Sequence, residues 1–448
     1  MISNDCICAI ATPSGGAIGI VRVSGENAIE IVDSVFSGNL SDAKGNSIHY
    51  GEIRDDDGTV VDDVLISVFH TPHSYTGENS VEIGCHGSAY IMREILQLLI
   101  VHGCRQAKPG EYTQRAFMNG KMDLSQAEAV ADLIAASNRA SHQLAISQLR
   151  GHFSNKLSQL RDRLLKMTSL LELELDFSDH EDLEFADRTE LLNLAQEIDN
   201  RITSLAHSFK TGNALKQGVP VAIVGKTNVG KSTLLNRLLH EDRALVSDIH
   251  GTTRDVIEDS VQIHGVSFRF IDTAGIRNTD DTIEQMGIER TWKAIEKAMI
   301  VIWLTDEDPT EDETTEMMRH TEGKNLIRVR NKSDLKIATP NKNEDIINIS
   351  AKFGDNVELL EEKIFQAAGI PEISENDVII TNARHYEALL RAHDSILSVI
   401  QGLKMQLSAD LLSEDLRACL NWLAEITGGE ITTNEVLGNI FKHFCIGK

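Results

Sequence analysis

Eight residues near the middle of the chain carry the first sign of chemistry. Gly225-Lys226-Thr227-Asn228-Val229-Gly230-Lys231-Ser232 fits the pattern G-x-x-x-x-G-K-[ST]. The apolar run Val219 to Val224 precedes it and a helical pattern follows. That is the context such a loop needs if its backbone N–H groups are to cradle phosphates. Lys231 is placed to reach the β- and γ-phosphates and Ser232 to ligate Mg²⁺, with Asn228, Val229, Gly230 and Thr233 completing the cradle. Taken alone, the segment is also compatible with an ordinary glycine-rich turn before a helix.

Three further segments follow in order, each after an apolar run. Asp272-Thr273-Ala274-Gly275 offers a carboxylate for the Mg²⁺ shell and a glycine whose N–H can approach a γ-phosphate. Asn331-Lys332-Ser333-Asp334 resembles the guanine-reading loop of GTPases, in which a carboxylate accepts from the ring N–H and the exocyclic amine. Adenine has no such donor pair, so Asp334 points to GTP rather than ATP. Ser350-Ala351-Lys352 resembles the second base-contacting loop. Between the first two motifs, Gly251-Thr252-Thr253-Arg254-Asp255 supplies Thr253 as a second Mg²⁺ ligand. Small signalling GTPases place a water-orienting Gln directly after D-x-x-G, whereas this chain has Ile276. Asp280, Asp281 and Glu284 are the nearby acidic substitutes.

The elements that must hold these loops can be read from periodicity. Val219 to Val224, Phe268 to Ile271, Met299 to Leu304, Leu326 to Val329 and Ile346 to Ile349 read as short buried parallel strands. Before them, Asp123 to Ser208 repeats apolar residues at three and four, as long amphipathic helices do, with an acidic break at Asp176 to Asp187. Helical patterns resume at about Asn382. The first 118 residues instead alternate short strands (Ala17 to Val23, Val60 to Phe69, Asn79 to Ile83) with turns and one apolar helix, Ala89 to Val101. The expected fold class is therefore multidomain α/β. It has an N-terminal α+β domain (1–118), a helical domain in two segments (119–215 and 373–448) and an inserted Ras-like P-loop domain (216–372).

Composition narrows the function classes. The chain has 448 residues, 41% of them hydrophobic, and a net charge of -25. Such a surface repels bulk nucleic acid and anionic membrane, so any nucleic-acid contact must use a local basic patch or a partner. The six cysteines form no C-x-x-C pair, and a reducing cytoplasm suits them better than a disulfide framework. No secretory leader is read at the N-terminus, and no apolar stretch reaches the ~20 residues that span a bilayer.

Both ends of the chain then carry a resemblance. Pro13-Ser14-Gly15-Gly16-Ala17-Ile18-Gly19-Ile20-Val21-Arg22-Val23-Ser24-Gly25, Ser74-Tyr75-Thr76-Gly77-Glu78, His86-Gly87, Lys108-Pro109-Gly110-Glu111-Tyr112-Thr113 and the terminal Cys445-Ile446-Gly447-Lys448 are similar to the bacterial tRNA-modification GTPase MnmE (TrmE) family. The resemblance covers essentially the whole chain. It departs at Thr227, where the family usually has Pro, and at Ser88, where it usually has Gly.

The resemblance implies a cytoplasmic homodimer that joins a flavoprotein of the MnmG type, carrying FAD, in a heterotetramer. On tRNA this assembly would add an aminomethyl-type group to carbon 5 of the wobble uridine. The one-carbon source would be a 5-formyl- or methylene-tetrahydrofolate held by Arg22, Glu82, Lys121 and Lys448. The resemblance further implies K⁺ activation. Asn228 would ligate K⁺ by its side chain, and carbonyls of the Ser247-Asp248-Ile249-His250-Gly251-Thr252 loop, Ser247, Ile249 and Thr252 among them, would complete the shell. Glu284 would orient the attacking water, and Cys445 either acts as a nucleophile near the uridine or is a buried structural thiol. From the residues alone, Arg22 and Glu82 are better explained by a structural ion pair at a strand end. The competing function is a ribosome-assembly GTPase switch without covalent RNA chemistry, which would want a basic RNA-binding module that this acidic chain does not display.

Overall fold

The computed structural model describes residues 5–176, 188–242, 259–271, 284–335, 345–370 and 378–429, together with 437, 440–442, 444 and 447. They form two compact units. The first comprises Met1–Ala135, Gln148–Asp199 and Arg391–Lys448, the second Ala136–Ser147 and Asn200–Leu390.

The first unit opens with a six-stranded sheet of β1 (Cys6–Ile10), β2 (Ile18–Ser24), β3 (Ser47–Arg54), β4 (Val60–Phe69), β5 (Ser80–His86) and β6 (Cys104–Gln106), in the order β3-β4-β5-β2-β1-β6. β6 pairs with β1 in parallel and the other neighbours are antiparallel. Two helices, α1 (Ala28–Val35) and α2 (Ala89–Val101), close one face. Their buried residues Ala28, Ile29, Val32, Met92, Ile95 and Leu99 meet Val21, Val23, Val64, Ile66, Val68, Val81 and Ile83, which alternate along the strands. That alternation turns the intervening residues Arg22 and Glu82 to the opposite face, where their strands put them in register. There α3 (Glu111–Met118) lays Tyr112 against Ile7, Ala9 and Ala107. β1, β3 and β6 lie outside the segments that periodicity marked as strands.

Four helices follow where long amphipathic stretches were expected: α4 (Leu124–Ala135), α5 (Arg139–Leu149), α6 (His152–Asp176) and α7 (Arg188–Gln217). The acidic break falls mostly outside the described residues. Late in the chain, α12 (Ala383–Lys404) and α13 (Ala409–Thr427) resume the pattern, and α13 packs along α6.

The second unit is built on the sheet β7 (Val219–Val224), β8 (Asp259–Ile263), β9 (Val266–Phe270), β10 (Ile300–Thr305), β11 (Asn325–Arg330) and β12 (Ile346–Asn348), in the order β12-β11-β10-β7-β9-β8. Its central strands β7 and β10 are apolar on both faces because helices cover both. Val221, Ile223, Ile300, Ile302 and Leu304 face α8 (Lys231–Asp242) and α11 (Val357–Ala367). Ala222, Val224, Val301 and Trp303 face α9 (Glu284–Lys297) and α10 (Glu311–His320). The five strands expected from the sequence are parallel, and one strand outside that reading joins them: β8 is antiparallel to β9. Their turn, His264-Gly265, has φ of 52° and 79°, the positive pair that a two-residue hairpin with matching twist requires. The strand order reverses between β7 and β10, and in doubly wound sheets ligands bind at the carboxyl ends of the strands flanking such a point.

Candidate functional site

The phosphate loop leaves the carboxyl end of β7 at that reversal. Gly225 lies so close to β10 that a Cβ there would sit 2.1 Å from the Leu304 carbonyl oxygen. Asn228 takes a left-handed conformation (φ 62°), which Asn tolerates better than most residues. Gly230 (φ 100°) is constrained twice, since a Cβ would also meet Asn331 Nδ2 at 2.2 Å. The Lys231 ammonium folds back over the loop and donates to the carbonyls of Gly225 (2.7 Å) and Lys226 (2.6 Å). Burial pulls its pKa below the ordinary lysine range. An anion in the cradle would take over these donors and favour the charged form.

Asn331 ties the loops together. It is 5% exposed, donates from Nδ2 to the Val229 carbonyl (2.8 Å) and accepts on Oδ1 from the Ala351 N–H (2.9 Å). One amide therefore joins the phosphate loop to the segment Ser350-Ala351-Lys352. The buried Ser350 hydroxyl donates to Asp334 Oδ1 (2.7 Å) and orients an otherwise exposed carboxylate. Lys332 (φ 63°) pairs with Asp306 at the end of β10 (2.8 Å), and the Ser333 N–H donates to the Ile349 carbonyl (3.1 Å). Arg237 on α8 clamps the same segment from behind, donating to the carbonyls of Ala351 (3.4 Å) and Lys352 (2.6 Å). Asp306 and Arg237 stand outside every motif, and no local signal marks them.

A second polar cluster lies in the first unit. Arg22 Nη2 and Glu82 Oε1 are 2.7 Å apart. The same guanidinium donates from Nη1 to the Gly447 carbonyl (2.9 Å) and stands 5.9 and 5.7 Å from the ring centroids of Tyr75 and Tyr112. Lys121 donates to the Pro72 carbonyl (2.8 Å), on the segment that carries Tyr75. Behind the cluster a buried network of Arg115 with Asp5, Glu78 and Glu111 fixes α3. This contact brings Gly447 to the cluster.

A profile of the MnmE helical domain matches residues 124–445, and one of the GTP-binding protein TrmE N-terminus matches residues 6–121. The protein named tRNA modification GTPase MnmE from Phocaeicola vulgatus is 53% identical, with 100% of each chain covered. Its namesake from Bacteroides fragilis is 54% identical, again over 100% of both chains, and that from Flavobacterium psychrophilum is 48% identical over the same shares. This chain belongs to the MnmE family.

Several expected MnmE-type site residues lie outside the described residues: Ser247 to Thr253, Asp272 to Gly275, Cys445 and Lys448. Glu284 opens α9, so its backbone is placed but not its carboxylate. Among the described site residues, the structure assembles two groups. The residues of 228–233, 331–334 and 350–352 gather at one end of the second sheet, and Arg22, Glu82 and Gly447 gather on the first. The five described cysteines are free and buried, and no helix among the described residues is long and apolar enough to cross a membrane.

Proposed function

We propose that this chain hydrolyses GTP and couples that hydrolysis to modification of tRNA. The single observation that carries the nucleotide half is the Asn331 amide, which links the phosphate loop to a base loop whose Asp334 carboxylate is held by Ser350. In this reading Lys231 and Asn228 to Thr233 hold the phosphates. Ser232, Thr253 and Asp272 hold Mg²⁺, which would neutralise charge on the transferring phosphoryl group. Asn228 and the carbonyls of Ser247, Ile249 and Thr252 hold K⁺, in the role an arginine finger plays elsewhere. Glu284 orients the water.

The modification half follows the family. A homodimer, with an MnmG-type flavoprotein carrying FAD, adds an aminomethyl-type group to carbon 5 of the wobble uridine. The one-carbon unit comes from a tetrahydrofolate bound beside Arg22, Glu82, Lys121 and Lys448. The paired Arg22 and Glu82 are chemically suited to a ligand with both a carboxylate and an amino-pyrimidine edge. The domain limits proposed for this organisation are 1–118, 119–215, 216–372 and 373–448.

The test is GTP and ATP hydrolysis measured in KCl and in NaCl at equal ionic strength. Preference for GTP and acceleration in KCl are expected. Equal affinity for ATP and GTP would defeat the base-loop reading, and equal rates in the two salts would defeat the K⁺ reading. In the same single-turnover assay, Glu284→Ala should slow hydrolysis while nucleotide affinity holds; an unchanged rate would remove Glu284 from the mechanism.

A further inference from the structure

The nucleotide loops leave the carboxyl ends of β7, β11 and β12. At the opposite end of this sheet, where β7, β10 and β11 begin, the second unit holds a cavity of about 300 Å³. Its wall comes from the end of α7, the residues opening β7, the end of α9, the turn before β11 and Arg269 of β9. Four of its lining residues are cations, Lys210, Arg269, Lys297 and Lys324, and none is Asp or Glu. This composition inverts that of the chain, where Asp and Glu outnumber Lys and Arg by 68 to 43. The amides of Asn213 and Gln217 add neutral donors.

Lys324 is held in the wall of the cavity. Its ammonium is anchored by donation to the carbonyls of Glu296 (2.6 Å) and Ala298 (2.8 Å), which leaves a third N–H. Burial lowers its pKa. The Glu296 carboxylate opposes that shift and the Lys210 ammonium, across the same cavity, adds to it more weakly.

We propose that this cavity is a subsite for a phosphodiester of an RNA backbone, an inference that rests on the tRNA-modification reading above. Lys, Arg, Asn and Gln are the side chains that grip phosphate and sugar without reading sequence. Lys210 and Lys297 are exposed at its mouth. The volume exceeds that of a lone phosphate and leaves room for an attached ribose. With a net charge of -25 spread over the chain, RNA is repelled from most of the surface, and a local cluster of this kind is where a backbone can approach. The cavity is also remote from the phosphate loop along the strands, so basal GTP hydrolysis does not depend on it.

The experiment uses the full chain and unmodified tRNA, with Lys210→Gln/Lys297→Gln as the variant and the exposed Lys363→Gln on α11 as a control for general charge loss. The double variant should bind tRNA about tenfold more weakly. Its plot of log affinity against log salt should be shallower by about 1.5, since each phosphate contact contributes about 0.7–0.9 to that slope. Lys363→Gln should change neither. Basal GTP hydrolysis should be unchanged in both. Wild-type affinity and slope in the double variant would overturn the proposal while leaving the tRNA reading intact, whether or not inorganic phosphate binds the cavity. A wild-type chain that binds no tRNA at all would defeat both.

Discussion

At the scale of single residues, the nucleotide site divides into groups that meet the ligand and groups that hold those groups. Lys231 and Asp334 belong to the first kind, and their motifs announce them because the chemistry needs those side chains at a fixed spacing from a glycine or from one another. Asn331 and Arg237 act as brackets. Asn331 reaches a carbonyl 102 positions away, and Arg237 reaches one 115 positions away, so their roles exist only once the loops converge. Asp334 gives the clearest residue-level prediction. Exchanging an acceptor for a donor in Asp334→Asn should lose the paired bonds to guanine and favour a xanthine base. GTP affinity should fall by about 10²-fold or more, the order expected when a built hydrogen-bonding site meets the wrong partner. Xanthosine triphosphate affinity should rise. Ser350 can still donate to the amide oxygen of the variant, so thermal stability should change little. Titration with both nucleotides checks this, and unchanged discrimination would show that Asp334 does not read the base.

At the scale of elements, the second sheet was legible because its central strands β7 and β10 are apolar on both faces, a pattern that burial between two helical layers demands. Edge strand β8 was not, because its alternation covers only five residues and its pairing depends on a turn type. In the first unit, alternation along β2 and β5 sorted residues onto two faces. It could not show that Arg22 and Glu82 share a register, which is set by strand pairing. The junction of β7, α8 and the base loop depends most on a residue without a side chain. Gly230→Ala would force a Cβ against Asn331 Nδ2 in a backbone conformation that L-residues avoid. A left-handed non-glycine residue costs about 1–3 kcal/mol, and loss of the Asn331 bond to Val229 leaves a buried group unsatisfied at about 1–3 kcal/mol more. Thermal melting should show a lower midpoint. Equilibrium titration should show GTP affinity reduced by more than the melting shift implies, since the strained loop is the binding surface. A variant with wild-type melting and affinity would mean that the loop accommodates the methyl group.

At the scale of the whole molecule, the chain brings distant segments to one place within each unit. In the first unit, Arg22 on the second strand holds the Gly447 carbonyl 425 positions later. Gly447 (φ 91°) lies against β1 and the residue after it, where a Cβ would come within 2.7 Å of the Ile10 carbonyl oxygen. Gly110, at the start of α3, likewise packs against Phe441. These contacts dock Gly447 on the sheet face that carries Arg22 and Glu82. Cys445 is two positions before Gly447 in the sequence, and its proposed role is to act near whatever that face binds. Its thiolate adding to carbon 6 of a uridine would make carbon 5 nucleophilic, a form of covalent catalysis. The alternative is that the thiol only packs, as the five described cysteines do. Cys445→Ser separates the two. Serine keeps the size and polarity of the side chain but is a far weaker nucleophile at neutral pH, so a packing role should survive it and a covalent role should not. The expected outcome is loss of tRNA modification by about 10²-fold or more, on the scale of losing a covalent step. GTP hydrolysis and folate affinity should remain at wild-type levels, because the tail bonds through the Gly447 backbone. Trapping supplies an independent readout: 5-fluorouridine at the wobble position should form a denaturation-resistant adduct with the native chain and none with the variant. Full modification by Cys445→Ser would return the thiol to a structural role.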